Sequence, residues 1–133
     1  MAHWLVKEEP THYSFSDFRR DVTTTWSGVH NPLAQRHLRA MRRDDDGFYY
    51  HTGQVKAIVG QFEVAGAPFR DAEDPRDAYA VRLKAGRPFR GPVTLATLKQ
   101  DPRFRQFDLV RNSRLSVMPV PGPFWKAILA HEP

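Results

Sequence analysis

No cysteine occurs among the 133 residues. That removes disulfide frameworks, thiolate nucleophiles and thiolate metal sites together. No apolar run reaches the length a bilayer span needs, and Met1 to Trp4 lack the charged head and apolar body of a secretory signal. There is no internal repeat, no low-complexity tract, no nucleophile elbow, no zinc-type histidine pairing and no glycine-rich phosphate cradle. The expectation is a cytoplasmic monomer, one domain over residues 1–133, with no cofactor and no metal.

Positive charge is what the chain has in excess. Lys and Arg number 20 against 15 Asp and Glu, a formal charge of +5, a balance suited to a polyanion such as nucleic acid. A hydrophobic fraction of 41% is sufficient for one core without staples.

Alternation over His3 to Lys7 predicts a strand, with Trp4 and Val6 on one face and Leu5 and Lys7 on the other, ended by Pro10. Ser14 reads as the N-cap of a short helix, Asp17 favours its N-terminus, and Tyr13 and Phe18 are placed for a hydrophobic staple. Thr23 to Thr25 reads as a polar connection. A second helix is predicted from Asn31 or Pro32 to Arg43, with Ala34, Leu38 and Met41 as its apolar face and Arg36, Arg39 and Arg43 opposite. Asp44 to Gly47 break it. Most of the remainder reads as strand: Gly47 to Thr52, Lys56 to Val64, Ala78 to Lys84 with Tyr79, Val81 and Leu83 inward, and Arg114 to Val120. Between these fall a charged loop (Ala67 to Arg76), a bend at Pro88, Gly91 and Pro92, and a short helix begun by Thr94. A closing helix covers Phe124 to Ala130. Short strands with inserted helices predict a small mixed barrel in an α+β domain.

Three segments combine aromatic and polar chemistry: Trp4 to Pro10, Trp26 to Asn31 and Phe48 to Thr52. The second offers an aromatic plane, a backbone position without a side chain and an amide, all of use to a planar heterocycle. In order along the chain these segments resemble the EVE domain of the PUA-like superfamily. The family's strand ending in Lys-Ser-Glu-Pro is matched by Lys7, Glu8, Glu9 and Pro10. Its Trp-Asp-Gly-Val-Arg-Asn block is matched by Trp26 to Asn31, followed by Ala34, Leu38 and Met41. Phe-Tyr-His-Ser stands as Tyr49 to Thr52, and Arg-Leu-Ser-Val as Arg114 to Val117. The resemblance implies a PUA-like mixed β pseudo-barrel with short flanking helices and a pocket for a single base, with modified nucleobases in DNA or RNA as partners. The departures are Glu8 for Ser, Ser27 for Asp and His30 for Arg, and the segment after Val64 is shorter than in longer members.

With that resemblance, Trp26 is the expected stacking platform, an interaction worth about 1–3 kcal/mol per base; its alternative is a core tryptophan, as expected for Trp4 and Trp125. Asn31 either pairs with a base edge or caps the following helix. Gly28 provides close approach, a positive φ or a simple turn, and Val29 a pocket wall or core. Lys7 and Glu9, at a strand end, either enter the site or form a surface ion pair; the extra carboxylate of Glu8 faces a donor-rich base edge or pairs with Lys7. Tyr50 and His51 point to opposite faces, so at most one enters a given pocket. Ser116 and Arg114 read as rim or phosphate contacts on one face of the late strand. Arg36, Arg39 and Arg43 form a phosphate-tracking stripe or a solvated helix face.

The leading expectation is a nucleic-acid-binding module that holds one modified base and contacts flanking phosphates. A free-nucleoside sensor would use the same pocket without the arginines. A hydrolase or nuclease built on Glu8, Glu9, His51 or Ser116 is the weaker rival, because no nucleophile, base and orienting group fall together in a motif.

Overall fold

The computed structural model describes residues 1–133. Seven strands form a mixed sheet curled into a half-barrel: β1 (His3–Glu8), β2 (Thr23–Trp26), β3 (Asp46–His51), β4 (Ala57–Val64), β5 (Phe69–Arg70), β6 (Tyr79–Thr94) and β7 (Val117–Pro119). Their spatial order is β2, β6, β4, β3, β1, β7, with β5 attached to β6. Six short helices flank it: α1 (Pro10–Tyr13), α2 (Phe15–Asp21), α3 (Pro32–Ala40), α4 (Leu95–Gln100), α5 (Asp108–Arg111) and α6 (Gly122–His131), with a 3-10 turn at Pro102–Phe104. This is the PUA-like α+β architecture expected.

β1 and β3 lie parallel at the centre and are covered on both faces. Trp4, Leu5 and Val6 are consecutive buried residues, as are Phe48, Tyr49 and Tyr50, the pattern of strands with no solvent side. Trp125 of α6 stacks on Phe48 at 3.9 Å and on His3 at 4.2 Å. The Trp4 indole donates to the buried Asp45 carboxylate at 2.9 Å. Gly60 of β4 lies under the Phe15 ring, which a Cβ would meet at 2.3 Å; the missing side chain is what lets α2 sit on the sheet.

Several elements differ from the sequence expectation. Thr23 to Thr25 are not a connection but most of edge strand β2, antiparallel to β6, where β-branched residues suit the pleat. Pro88, Gly91 and Pro92 do not end a strand: β6 runs through them, its pairing with β4 broken by register shifts, the irregularity that tolerates proline in a sheet. α3 stops at Ala40, because Met41 is already extended (φ −65°, ψ 146°) and the Arg42 N–H is taken by Asp45. Arg43 is therefore off the helix. The last strand begins at Val117, leaving Arg114 and Ser116 ahead of it.

Local predictions close to the observed geometry are those around Ser14 and Asn31. Ser14 and Asp17 form a reciprocal capping box on α2, and Tyr13 meets Phe18 at 6.1 Å. Ala34, Leu38 and Met41 are buried. Val81 and Leu83 point inward, with Ala80 also buried. No helix is long and apolar enough to cross a membrane.

Candidate base-binding cleft

A cleft of about 360 Å³ lies between edge strand β2 and the end of β1. The volume is within the roughly 300–1,000 Å³ of ligand pockets. One wall is β2, through Thr24, Thr25 and Trp26, continued by the loop from Ser27 to His30. The facing wall is the end of β1, Lys7 and Glu8, with Ser116 just ahead of β7. α1 closes one side with His12 and Tyr13.

Trp26 is 7% exposed: most of its ring belongs to the core and the remainder faces the cleft. It meets Tyr49 edge-on at 5.6 Å and 80°. The Tyr49 hydroxyl donates to Tyr13 O at 2.6 Å, and burial pushes its phenol far above the ordinary range. The indole plane is thus held by a neutral, fixed neighbour. After it the chain turns at Gly28, φ +72°, where an added Cβ would touch nothing within 4 Å. Glycine serves the backbone conformation here, not the space.

Val29 O accepts from Gln35 Nε2 at 2.8 Å, which ties the loop to α3. His30 Nε2 lies 2.8 Å from Asp74 Oδ2, and this bond holds the Asp74 carboxyl below its usual range. Across the cleft, Lys7 Nζ donates to Ser113 O at 3.1 Å, and burial lowers its pKa. Glu8 does not pair with Lys7: its Oε1 accepts from Glu9 N at 2.8 Å and lies 3.2 Å from His12 Nδ1. The cleft therefore presents the Trp26 indole and the Tyr13 ring, one ammonium, one carboxylate, two imidazoles and several hydroxyls. Such a lining can stack a planar ring and both donate to and accept from its edge.

Of the residues expected at a base pocket, Lys7, Glu8, Trp26, Gly28, Val29 and Ser116 come together here, and Glu9, Asn31, Tyr50 and His51 do not. β1 ends at Glu8, so alternation no longer carries Glu9 to the side of Lys7; Glu9 N-caps α1 and accepts from Thr52 Oγ1 at 3.4 Å. Asn31 is exposed, and its Oδ1 accepts from Leu33 and Ala34 N–H, both at 3.0 Å; capping takes the side-chain oxygen. Tyr50 lies under Lys7, 5.7 Å from its Nζ, outside the cleft. His51 turns inward, where its Nε2 accepts the Phe15 N–H at 3.1 Å; burial lowers its pKa and keeps the ring neutral for that bond.

Sequence reasoning passed over His12, Tyr13, Thr24 and Thr25 as lining residues, and singled out Ser27 and His30 only as departures from the family pattern. Tyr13 was visible only as a staple, and the threonines only as a polar linker. Among the arginines, Arg36 and Arg39 flank a shallow groove on α3 with Pro32, Gln35 and Ala40, and the Arg39 guanidinium lies 4.3 Å from the Tyr79 ring centroid. Arg43 and Arg114 are exposed in turns, apart from that groove and from the cleft. No group of three or more histidine or acidic side chains is placed to hold a metal ion.

A curled mixed sheet with a cleft between β2 and β1 defines a PUA-like domain. The chain belongs to the EVE domain family, whose model matches residues 2–131. It is 30% identical to human thymocyte nuclear protein 1 over 82 residues, 53% of this chain and 36% of that protein, so the match spans about a third of the length of that curated relative. An NMR structure of a protein from Rhodopseudomonas palustris superposes with a TM-score of 0.93 at 38% identity, over 99% of this chain and 93% of that one. A crystal structure of human THYN1 protein in complex with 5-methylcytosine-containing DNA superposes with a TM-score of 0.90 at 23% identity, over 100% of this chain and 99% of that one. At that identity the likeness is one of fold.

Proposed function

We propose that the chain is a nucleic-acid-binding module that takes one modified base into the cleft against Trp26, with the strand's phosphates on basic residues outside it. The observation that carries this reading is the meeting of a fixed indole, a glycine turn and hydrogen-bonding side chains of both polarities in one cleft between β2 and β1. The DNA complex of the human relative supports it, as does the net charge of +5. Glu8, Ser27 and His30, the three departures from the family pattern, all line the cleft, so the preferred modification is this chain's own. The family match and the DNA complex of the human relative favour binding over turnover as the activity. The module acts as a monomer, and a base in duplex must be flipped, at a cost of a few kcal/mol.

The test is a titration of single-stranded oligonucleotides with and without modified cytosines, followed by tryptophan fluorescence. The expected result is saturable quenching that favours one modification. Trp26→Phe, which keeps a ring against Tyr49 but shrinks the stacking face, should weaken binding by roughly tenfold, about 1.4 kcal/mol. Equal affinity for all oligonucleotides, unchanged in Trp26→Phe, would sink the reading. A free-nucleoside sensor is separated by salt: steep loss of affinity with ionic strength marks phosphate contacts.

A further inference from the structure

A second cavity, of about 300 Å³, adjoins the cleft at Lys7, the one residue that lines both. Three lysines face it from different elements: Lys7 on β1, Lys56 immediately before β4 and Lys99 at the end of α4. The buried Tyr50 lines its inner side, and Thr52 and Ser113 contribute hydroxyls. None of the lining residues is acidic. Glu9 is not among them, but its carboxylate lies against two that are, Thr52 and Gly53.

None of the three lysines has a carboxylate partner, whereas Arg20, Arg87, Arg103 and Arg111 on the surface each have one. Like charges gathered round one cavity repel one another, and an anion between them reverses the sign of that interaction. Lysine is a compact, multi-donor cation suited to a tetrahedral oxyanion as a point charge. The hydroxyl of Ser113 adds a neutral donor of the kind commonly found on phosphate oxygens.

We propose that this cavity is a phosphate-binding site, and that its ligand is the phosphodiester next to a base held in the cleft. The strand identity rests on the base-binding reading above; the phosphate chemistry does not. Lys7 is the junction. Its carbonyl bond to Ser113 uses one of three ammonium donors, leaving two for the base edge on one side and the phosphate on the other. The site is distinct from the Arg36 and Arg39 groove, which shares no residue with it.

Two titrations test the proposal, each on the native protein and on a Lys56→Gln/Lys99→Gln variant. Both positions are exposed and outside the cleft. In the first, inorganic phosphate is added at constant ionic strength and amide shifts of Thr52, Gly53 and Ser113 are followed by NMR. Saturable shifts that vanish in the variant are expected; shifts that never saturate, or that persist in the variant, overturn the site. In the second, affinities are measured for 5-methylcytidine, which carries no phosphate, and for a single-stranded oligonucleotide containing 5-methylcytosine. The variant should bind the nucleoside as the native protein does. Its salt slope for the oligonucleotide should be shallower by about 0.7 for each phosphate that the lysines no longer neutralise. A native slope in the variant, with phosphate still saturating the native site, assigns the cavity to free phosphate compounds and overturns the strand route. Binding of phosphate with no binding of nucleoside or oligonucleotide overturns the base-binding reading and supports the phosphate site.

Discussion

Gln35 pairs with the backbone of Tyr79 as a neighbouring strand would: its Oε1 accepts from Tyr79 N–H at 2.5 Å and its Nε2 donates to Tyr79 O at 3.3 Å. The same nitrogen donates to Val29 O at 2.8 Å. One side-chain amide thus fastens the cleft loop to the start of β6. Gln35→Leu strands the Tyr79 N–H in a half-buried position, a loss of about 1–3 kcal/mol. A lower urea midpoint and faster amide hydrogen exchange at Val29 and His30 are expected, together with weaker base binding. Loss of stability with affinity intact would show that the loop does not shape the cleft.

Glu8 is the only carboxylate lining the cleft. A carboxylate accepts from the exocyclic amine of cytosine, and a good base contact is worth about 1–3 kcal/mol of discrimination. Glu8→Gln should therefore reduce the preference for a cytosine-type base over a thymine-type one while raising affinity for oligonucleotides generally, because a negative charge near phosphate is removed. Parallel titrations of two oligonucleotides differing in that single base measure both effects. An unchanged ratio would remove Glu8 from base recognition.

Gly28 separates conformation from space. With φ at +72° and open surroundings, Gly28→Ala introduces no clash but places a side chain in the left-handed region, about 1–2 kcal/mol of strain. Asn tolerates that region better. The expected order of thermal stability is glycine, then Gly28→Asn, then Gly28→Ala. Equal stability for all three would mean that the turn is not held at positive φ in solution.

Acid should destabilise the fold through identifiable groups. Burial alone would raise the Asp45 carboxyl, but donors from the Trp4 indole and the Arg42 and Ala2 amides, at 2.9, 2.9 and 3.1 Å, outweigh it and hold it below 3.8. Arg87, with both guanidinium nitrogens at 2.7 Å, and the Arg90 N–H hold Glu132 down at about 2, from 4.5. Both folded values are depressed, so their stabilisation is complete above the unfolded values and is lost as pH falls through the folded ones. Urea midpoints should fall steadily from about pH 4.5 downward. Asp45→Asn should be less stable at neutral pH and show a shallower acid limb; an unaltered acid limb would exclude Asp45 as a contributor.

What could be read from the sequence was what neighbours in sequence decide. Ser14 with Asp17, Tyr13 with Phe18, and Asn31 ahead of Pro32 lie within five residues of their partners, and the structure reproduces those arrangements. Ala34, Leu38 and Met41 declared a buried face by spacing alone. β2 was illegible because three threonines become a strand only through pairing with distant β6. β6 extends past its sequence-predicted end because its prolines are tolerated by register shifts set by β4. At the cleft, the Trp26 block pointed to one wall, but His30 is oriented by Asp74 in a remote loop, and His12 faces the cleft only because Pro10 starts α1 instead of simply stopping β1. Long-range pairing, rather than composition, decides those positions.

The strand order has a mechanical consequence. Trp26 on β2 and Lys7 on β1 face each other across the cleft, yet along the sheet they are separated by β6, β4 and β3 in series. A rotation of a few degrees at each strand pair, small beside the ordinary inter-strand twist of roughly 20–25°, adds up between β2 and β1 while the packing within each pair shifts only slightly. The gap between Trp26 and Lys7 is thus set jointly by several strand pairings and by the contact of Trp26 with Tyr49 of β3. A base seated there would bridge β2 and β1, two strands that the sheet itself connects only through three others.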